Sequence, residues 1–172
     1  MDAEHLLAVV GALTGQGIDV WLDGGWCIDA LVDRQRRGHD DLDLVARLDD
    51  CDAIQAILGE QGYRCVEGGP PAAFYLVDPA GRQVDVHPVV FDAGGDGLYD
   101  MGAGELWPYP ARGFAGRGTV LGQVVRCLTP EVMMLCHSAG YVLDEVHVAD
   151  VVALSEGFGL PLPAMRTTAD EG

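Results

Sequence analysis

The sequence predicts an α/β domain, and three observations carry that reading. Stretches with apolar residues at helical spacing take turns along the chain with stretches in which apolar and polar residues alternate. The segment from Val20 to Leu44, VWLDGGWCIDALVDRQRRGHDDLDL, reads as strand, glycine turn, helix, basic loop and strand. A length of 172 residues with 49% hydrophobic content suffices for one domain with a real core. The expected organisation is a core over 1–128, a small C-terminal helical part of the same domain over 129–160, and a flexible tail over 161–172.

Leu6, Leu7, Val10 and Leu13 fall on one helical face, so residues 3–15 are a helix closed by Gly15 and Gly17. Ile18–Leu22 is a short buried strand that Asp23 ends. Gly24 and Gly25 turn the chain into a helix over Trp26–Val32. Asp33–Asp40 is a polar loop, and Leu42–Val45 lies in the next strand. Asp49 and Asp50 form a cap and first turn for a helix with Cys51, Ile54, Ile57 and Leu58 inward, ending near Gly62. Tyr63–Glu67 is a strand, GGPPA a loop, and Ala73–Val77 with Arg82–Val90 a hairpin turning at Asp78-Pro79-Ala80-Gly81. Phe91–Gly118 is expected to be a long irregular, glycine-rich binding segment, and Thr119–Cys127 one or two late strands. Thr129-Pro130 starts a helix running to about His137–Gly140, and Asp144 caps a last helix ended by Gly157.

The chemistry concentrates in two strands. Asp41 and Asp43 are two residues apart, so both carboxylates share a strand face while Leu42 and Leu44 enter the core. A two-residue step is about 6.6 Å, which lets two carboxyl groups reach around ions roughly 3.5–4 Å apart. In Val84-Asp85-Val86-His87, Asp85 and His87 likewise share a face. If the two strands are neighbours, Asp85 completes a cluster of three carboxylates that needs cationic compensation. All-oxygen ligands point to Mg²⁺ or Mn²⁺ rather than zinc. Gly24-Gly25, at a strand end opening a helix, suit a phosphate, because a helix N-terminus is an anion site. Arg34, Arg36, Arg37 and His39 put cationic groups just before the carboxylate strand; the bland alternative is a solvated loop paired with surface acids. Tyr99, Met101, Trp107, Tyr109 and Phe114 place aromatic and apolar surface where a small organic substrate can use it, although Trp107 or Phe114 can equally anchor the chain to the core.

The net charge of −17, with ten arginines and no lysine, excludes binding to nucleic acid or to an anionic membrane surface, both of which call for a basic patch. No apolar run reaches membrane-spanning length, and Asp2 and Glu4 with no basic stretch argue against a signal peptide. Cys27, Cys51, Cys65, Cys127 and Cys136 contain no C-x-x-C pair and read as free thiols in a reducing cytoplasm.

WLDGGWCIDAL, the run from Arg37 through His39 to DDLDL, VDVHPV and HSAGY together resemble the small lincosamide nucleotidyltransferases; the first two blocks also resemble the aminoglycoside 2''-nucleotidyltransferases. Both belong to the DNA polymerase beta-like nucleotidyltransferase superfamily. The resemblance covers about residues 18–155 and implies that superfamily's fold: a mixed sheet flanked by helices with a small C-terminal helical part. It implies Asp41, Asp43 and Asp85 as metal ligands and catalytic residues, with Asp85 as or beside the general base. It implies Gly24, Gly25, the Trp26 amide, Arg37 and His39 as the nucleotide site. His87, Tyr99, Trp107 and Tyr141 are the expected substrate-binding residues, with His87 open between orienting the substrate and handling a proton. The implied cofactors are Mg²⁺, as two ions, or Mn²⁺, with ATP or another NTP as co-substrate. The implied partner is a small antibiotic acceptor, foremost a lincosamide, and the analogy admits a homodimer. The alternatives are an aminoglycoside nucleotidyltransferase, an antitoxin-like or regulatory nucleotide-binding module, and a metal-dependent phosphohydrolase. The sequence departs from the pattern at Cys27 and Asp33, where the family has glycine, and over 92–118, which match poorly.

Overall fold

A computed structural model gives the arrangement of residues 1–138, 142–163 and 166–167. The main sheet has seven strands: β1 (Val20–Leu22), β2 (Asp41–Arg47), β3 (Arg64–Gly68), β4 (Phe74–Val77), β5 (Gln83–Phe91), β6 (Gly97–Gly102) and β7 (Glu105–Tyr109). Its order is β1-β2-β5-β4-β3; β6 pairs the far end of β5, and β7 pairs β6. β2 and β5 run parallel while the other pairs in this sheet are antiparallel, so the sheet is mixed. Two strands that are parallel need a crossover, supplied here by α3 (Cys51–Glu60) and the β3–β4 hairpin. A separate hairpin, β8 (Arg117–Val120) with β9 (Gln123–Arg126), turns at Leu121-Gly122, both at positive φ.

The helices fall into two groups. α1 (Ala3–Gly15) buries Leu6, Val9, Val10 and Leu13 and packs against α3, which buries Ile54 and Leu58. α2 (Gly24–Leu31) packs against β8, α4 (Pro130–Ser138) and α5 (Glu145–Phe158). The α2–β8 approach is close because Gly118 has no side chain: a Cβ there would lie 2.6 Å from the Ala30 carbonyl carbon. Leu42, Leu44, Val84 and Val86, all fully buried, lie on the sheet face opposite the carboxylates.

The expected elements are present, with four corrections. The helix after β1 begins at Gly24 rather than Trp26, because Asp23 caps it and its side chain accepts the Gly24 N–H at 2.8 Å. Asp49 and Asp50 lie in a 3₁₀ turn over Leu48–Asp50, and Asp50 makes no side-chain cap hydrogen bond to α3. The segment 92–118 is not irregular: it holds the β6–β7 hairpin, a 3₁₀ turn over Ala111–Ala115 and the start of β8. The glycines that suggested a loop occupy its tight turns, where Gly102, Ala103 and Gly104 all have positive φ. The last helix continues through Gly157, where an added Cβ would lie 3.4 Å from Val32, and ends at Gly159, whose left-handed conformation forms the C-cap. Most of the expected flexible tail, and Tyr141, lie outside the described residues.

Candidate active site

Strand pairing brings the three acids together. The β2–β5 register sets Asp43 opposite Asp85 and Asp41 opposite Gln83. Residues opposite one another on adjacent strands share a face, so Asp41, Asp43 and Asp85 project from one side of the sheet. One oxygen from each carboxylate lies within 4.8 Å of the other two. Gln83 donates from Nε2 to Asp85 Oδ1 at 2.7 Å, fixing that carboxylate's orientation.

Their electrostatics are unfavourable as they stand. Burial pushes the Asp43 carboxyl up to about 7; His87 pulls it down, and Asp23, Asp41 and Asp85 add to the rise. Asp85 is raised as well, by burial first and by Asp41, with the Gln83 hydrogen bond opposing. Three acids sharing one place, all with oxygen donors and one strongly destabilised as an anion, fit a hard divalent cation. Among the described residues this is the one group of three such side chains placed to hold a metal.

Beside the carboxylates stands the first turn of α2. Gly24 is at φ +58, and a Cβ on it would overlap the Asp43 carboxylate. A Cβ on Gly25 would lie 2.7 Å from the His39 ring and would also strike the Arg37 guanidinium. The two glycines therefore let an acid and a base close on opposite sides of the helix end. The Gly24 N–H is taken by Asp23, which leaves the Gly25 and Trp26 amides as the first-turn donors that meet no carbonyl within the helix. Trp26 itself is buried, with its ring 4.4 Å from that of His39, and its indole N–H has no hydrogen-bond partner.

The basic loop divides into different jobs. His39 is buried and donates from Nε2 to Asp29 at 2.7 Å. Arg36 is a half-buried strut: its Nε meets Asp29 at 2.7 Å and its Nη2 meets Asp150 of α5 at 2.6 Å. Arg37 keeps more than a third of its side chain exposed, 3.6 Å from Asp150. Asp29 and Asp150 were not singled out in the sequence, because nothing local distinguishes an aspartate in a helix that will bind an arginine from one that faces water.

A cavity of about 420 Å³ opens next to the acids. Asp23, Gly24, Asp43 and His87 line one side, and Tyr99, Met101, Trp107 and Tyr109 from the β6–β7 hairpin line another. Cys136, His137 and His147 close it from α4 and α5. Asp23 is the residue that sequence reasoning misses, because locally it marks only the end of a strand. It is buried, accepts from Tyr109 Oη at 3.0 Å, and stands 3.5 Å from His87 Nδ1. Burial pushes its carboxyl up, but His87, the Gly24 N–H and the Tyr109 hydroxyl outweigh that and hold it below the usual carboxylate range. Burial likewise disfavours a charged His87, yet Asp23, Asp43 and Asp85 together raise its value. His137 is lowered by burial, which favours its neutral form; its ring lies 5.5 Å from that of His147. Trp107 faces the cavity, whereas Phe114 is an anchor, packed against Trp21, Phe91 and Tyr109.

Comparison with known proteins follows the same lines. The family described as aminoglycoside-2''-adenylyltransferase matches residues 5–154. A lincosamide resistance protein of Staphylococcus haemolyticus is 25% identical over 148 residues, 86% of this chain and 91% of that protein. A 2''-aminoglycoside nucleotidyltransferase of Escherichia coli is 27% identical over 145 residues, 83% of this chain and 75% of that protein. Among solved structures, lincomycin-bound lincosamide adenylyltransferase LnuA superposes with a TM-score of 0.79 at 22% identity, covering 90% of this chain and 97% of that one. ANT(2'')-Ia in complex with adenylyl-2''-tobramycin gives 0.74 at 20% identity, covering 91% and 89%. At these identities the two superpositions speak to the fold.

Proposed function

The chain belongs to the aminoglycoside-2''-adenylyltransferase family, and from that premise we propose that it transfers a nucleoside monophosphate from ATP or another NTP to a hydroxyl of a small antibiotic, foremost a lincosamide. The observation that carries the proposal is the convergence of Asp41, Asp43 and Asp85 beside both a helix N-terminus and an aromatic cavity.

In this reading the Gly25 and Trp26 amides and the Arg37 guanidinium receive the triphosphate, using the positive end of α2 and a planar fork of donors. His39 holds Arg37's side of the helix end in place through its bond to Asp29. Asp41, Asp43 and Asp85 hold divalent metal, Mg²⁺ or Mn²⁺, which when bound supplies the charge that offsets the triphosphate and acidifies the acceptor hydroxyl. Asp85, oriented by Gln83, accepts the hydroxyl proton as the acceptor oxygen bonds to the α-phosphorus and pyrophosphate leaves with the electrons of the broken P–O bond. His87, braced by Asp23 and through it by Tyr109, orients the acceptor. Tyr99 and Trp107 cover its apolar surface.

The cavity wall favours a lincosamide. Apart from Gly24 and from Asp23 and Asp43, which are occupied with His87, Tyr109 and the metal site, the lining is aromatic, sulfur-bearing or imidazole. A polycationic sugar calls for several carboxylates around it. The aminoglycoside reading stands second, on the family description and the Escherichia coli relative. Lincomycin and tobramycin, incubated side by side with the protein, Mg²⁺ and ATP and followed by mass spectrometry, separate the two. The expected result is an adenylylated lincomycin and stoichiometric pyrophosphate. Adenylylated tobramycin alone selects the second reading, and phosphate release without a modified acceptor overturns both.

A further inference from the structure

We propose that Asp150, on the C-terminal helix α5, is a positioning residue for nucleotide binding: it steadies Arg37 over the first turn of α2 and thereby couples the triphosphate site to the helix that walls the acceptor cavity. The inference rests on the reading above that this helix end receives the triphosphate.

Asp150 is buried, and its two oxygens face two different arginines. Arg36 Nη2 donates to Oδ1 at 2.6 Å, and Arg36 is itself fixed by Asp29, which accepts from its Nε and backbone N–H at 2.7 and 3.1 Å. The second oxygen faces Arg37 Nη2 at 3.6 Å. That distance is a Coulombic attraction rather than a hydrogen bond, so it restrains the guanidinium without consuming its donors. Arg37 Nη1 donates to the Gly38 carbonyl at 3.1 Å, and the group lies against Gly25, where any Cβ would strike it. A half-exposed arginine otherwise samples many rotamers, and ordering it on a ligand costs affinity. Asp150 removes part of that cost in advance.

The same carboxylate sits one helical turn from His147, which lines the acceptor cavity. A phosphate that draws Arg37 toward α2 therefore acts on the Asp150 carboxylate that also binds Arg36, and α5 carries part of the acceptor's wall. The arrangement makes the two substrates' sites a linked pair.

A double-mutant cycle distinguishes this from a purely structural latch. Asp150→Asn keeps an acceptor for Arg36 and removes the charge that holds Arg37. The expected result is a rise of about five-fold in the dissociation constant for ATP with Mg²⁺, with kcat at saturation held within about two-fold. In an Arg37→Ala background the same substitution should add nothing. An equal loss in both backgrounds, or unchanged ATP affinity in D150N, overturns the proposal. Where D150N fails to fold, Arg37→Ala alone carries the test: a non-hydrolysable ATP analogue should tighten acceptor binding several-fold in the wild type and not in R37A, and retention of that coupling in R37A overturns it. Failure of the wild type to bind ATP at all rejects the nucleotide reading itself, a result distinct from intact ATP binding that is indifferent to Asp150.

Discussion

At Asp43, burial and neighbouring charge act together to penalise the anion, with His87 alone opposing. Its value of about 7 in the folded protein stands above the ordinary carboxylate value, so the folded chain holds an extra proton between about pH 4 and pH 7. A group raised in this way favours the fold at low pH and withdraws that support as pH rises through 7. Asp43→Asn removes the penalty. Its melting temperature should therefore exceed that of the wild type without metal, by a margin that grows from pH 5 to pH 8 and corresponds to on the order of 2–4 kcal/mol at most. A constant or negative margin in calorimetry contradicts the assignment. Because the proton and a divalent ion compete for this carboxylate, stabilisation of the wild type by Mg²⁺ should be larger at pH 8 than at pH 5.5. Asp41→Asn or Asp43→Asn should also abolish turnover with the fold kept. The spacing of Asp41 and Asp43 was legible in the sequence because strand alternation is a local rule. The burial of Asp23, its hydrogen bond from Tyr109 and its charge contact with His87 were not, because its partners lie 86 and 64 residues away.

Among the elements, α2 carries the most constraint: its first turn meets Asp43, Arg37 and His39, and its last turn meets β8. Gly24→Ala combines a left-handed backbone with a collision against the Asp43 carboxylate, so its turnover should fall by orders of magnitude. Gly118→Ala places a methyl 2.6 Å from backbone of Ala30 and should cost roughly 1–3 kcal/mol in stability, read as a shift in the denaturation midpoint. The helices and the β4–β5 hairpin were readable because caps, turns and period are written within a few residues. β6–β7 was not: with six residues in one strand and five in the other, and glycines at its turns, the hairpin left no stretch of clean alternation. The roles of Arg36 and Arg37 separated only when α5 supplied Asp150, a contact no local pattern encodes.

For the whole molecule, the net charge of −17 is what remains after every arginine is counted, although Arg36 with Asp29 and Asp150, and Arg82 with Asp78, pair partly buried arginines with buried acids. That excess of negative charge repels itself. Raising monovalent salt from about 20 to 300 mM should screen that repulsion and raise the melting temperature by a few degrees; a fall would mean that the internal ion pairs dominate the balance. No helix among the described residues is long and apolar enough to cross a membrane. The central claim is that three acids from two parallel strands form one divalent-cation site, and Mn²⁺ binding followed by electron paramagnetic resonance, with a non-hydrolysable ATP analogue present, tests it most directly. The wild type should bind Mn²⁺ with a spectrum altered by the nucleotide, and Asp85→Asn should lose that signal although its substitution lies on a different strand from the Asp41–Asp43 pair. Equal Mn²⁺ binding by the wild type and D85N would contradict the account.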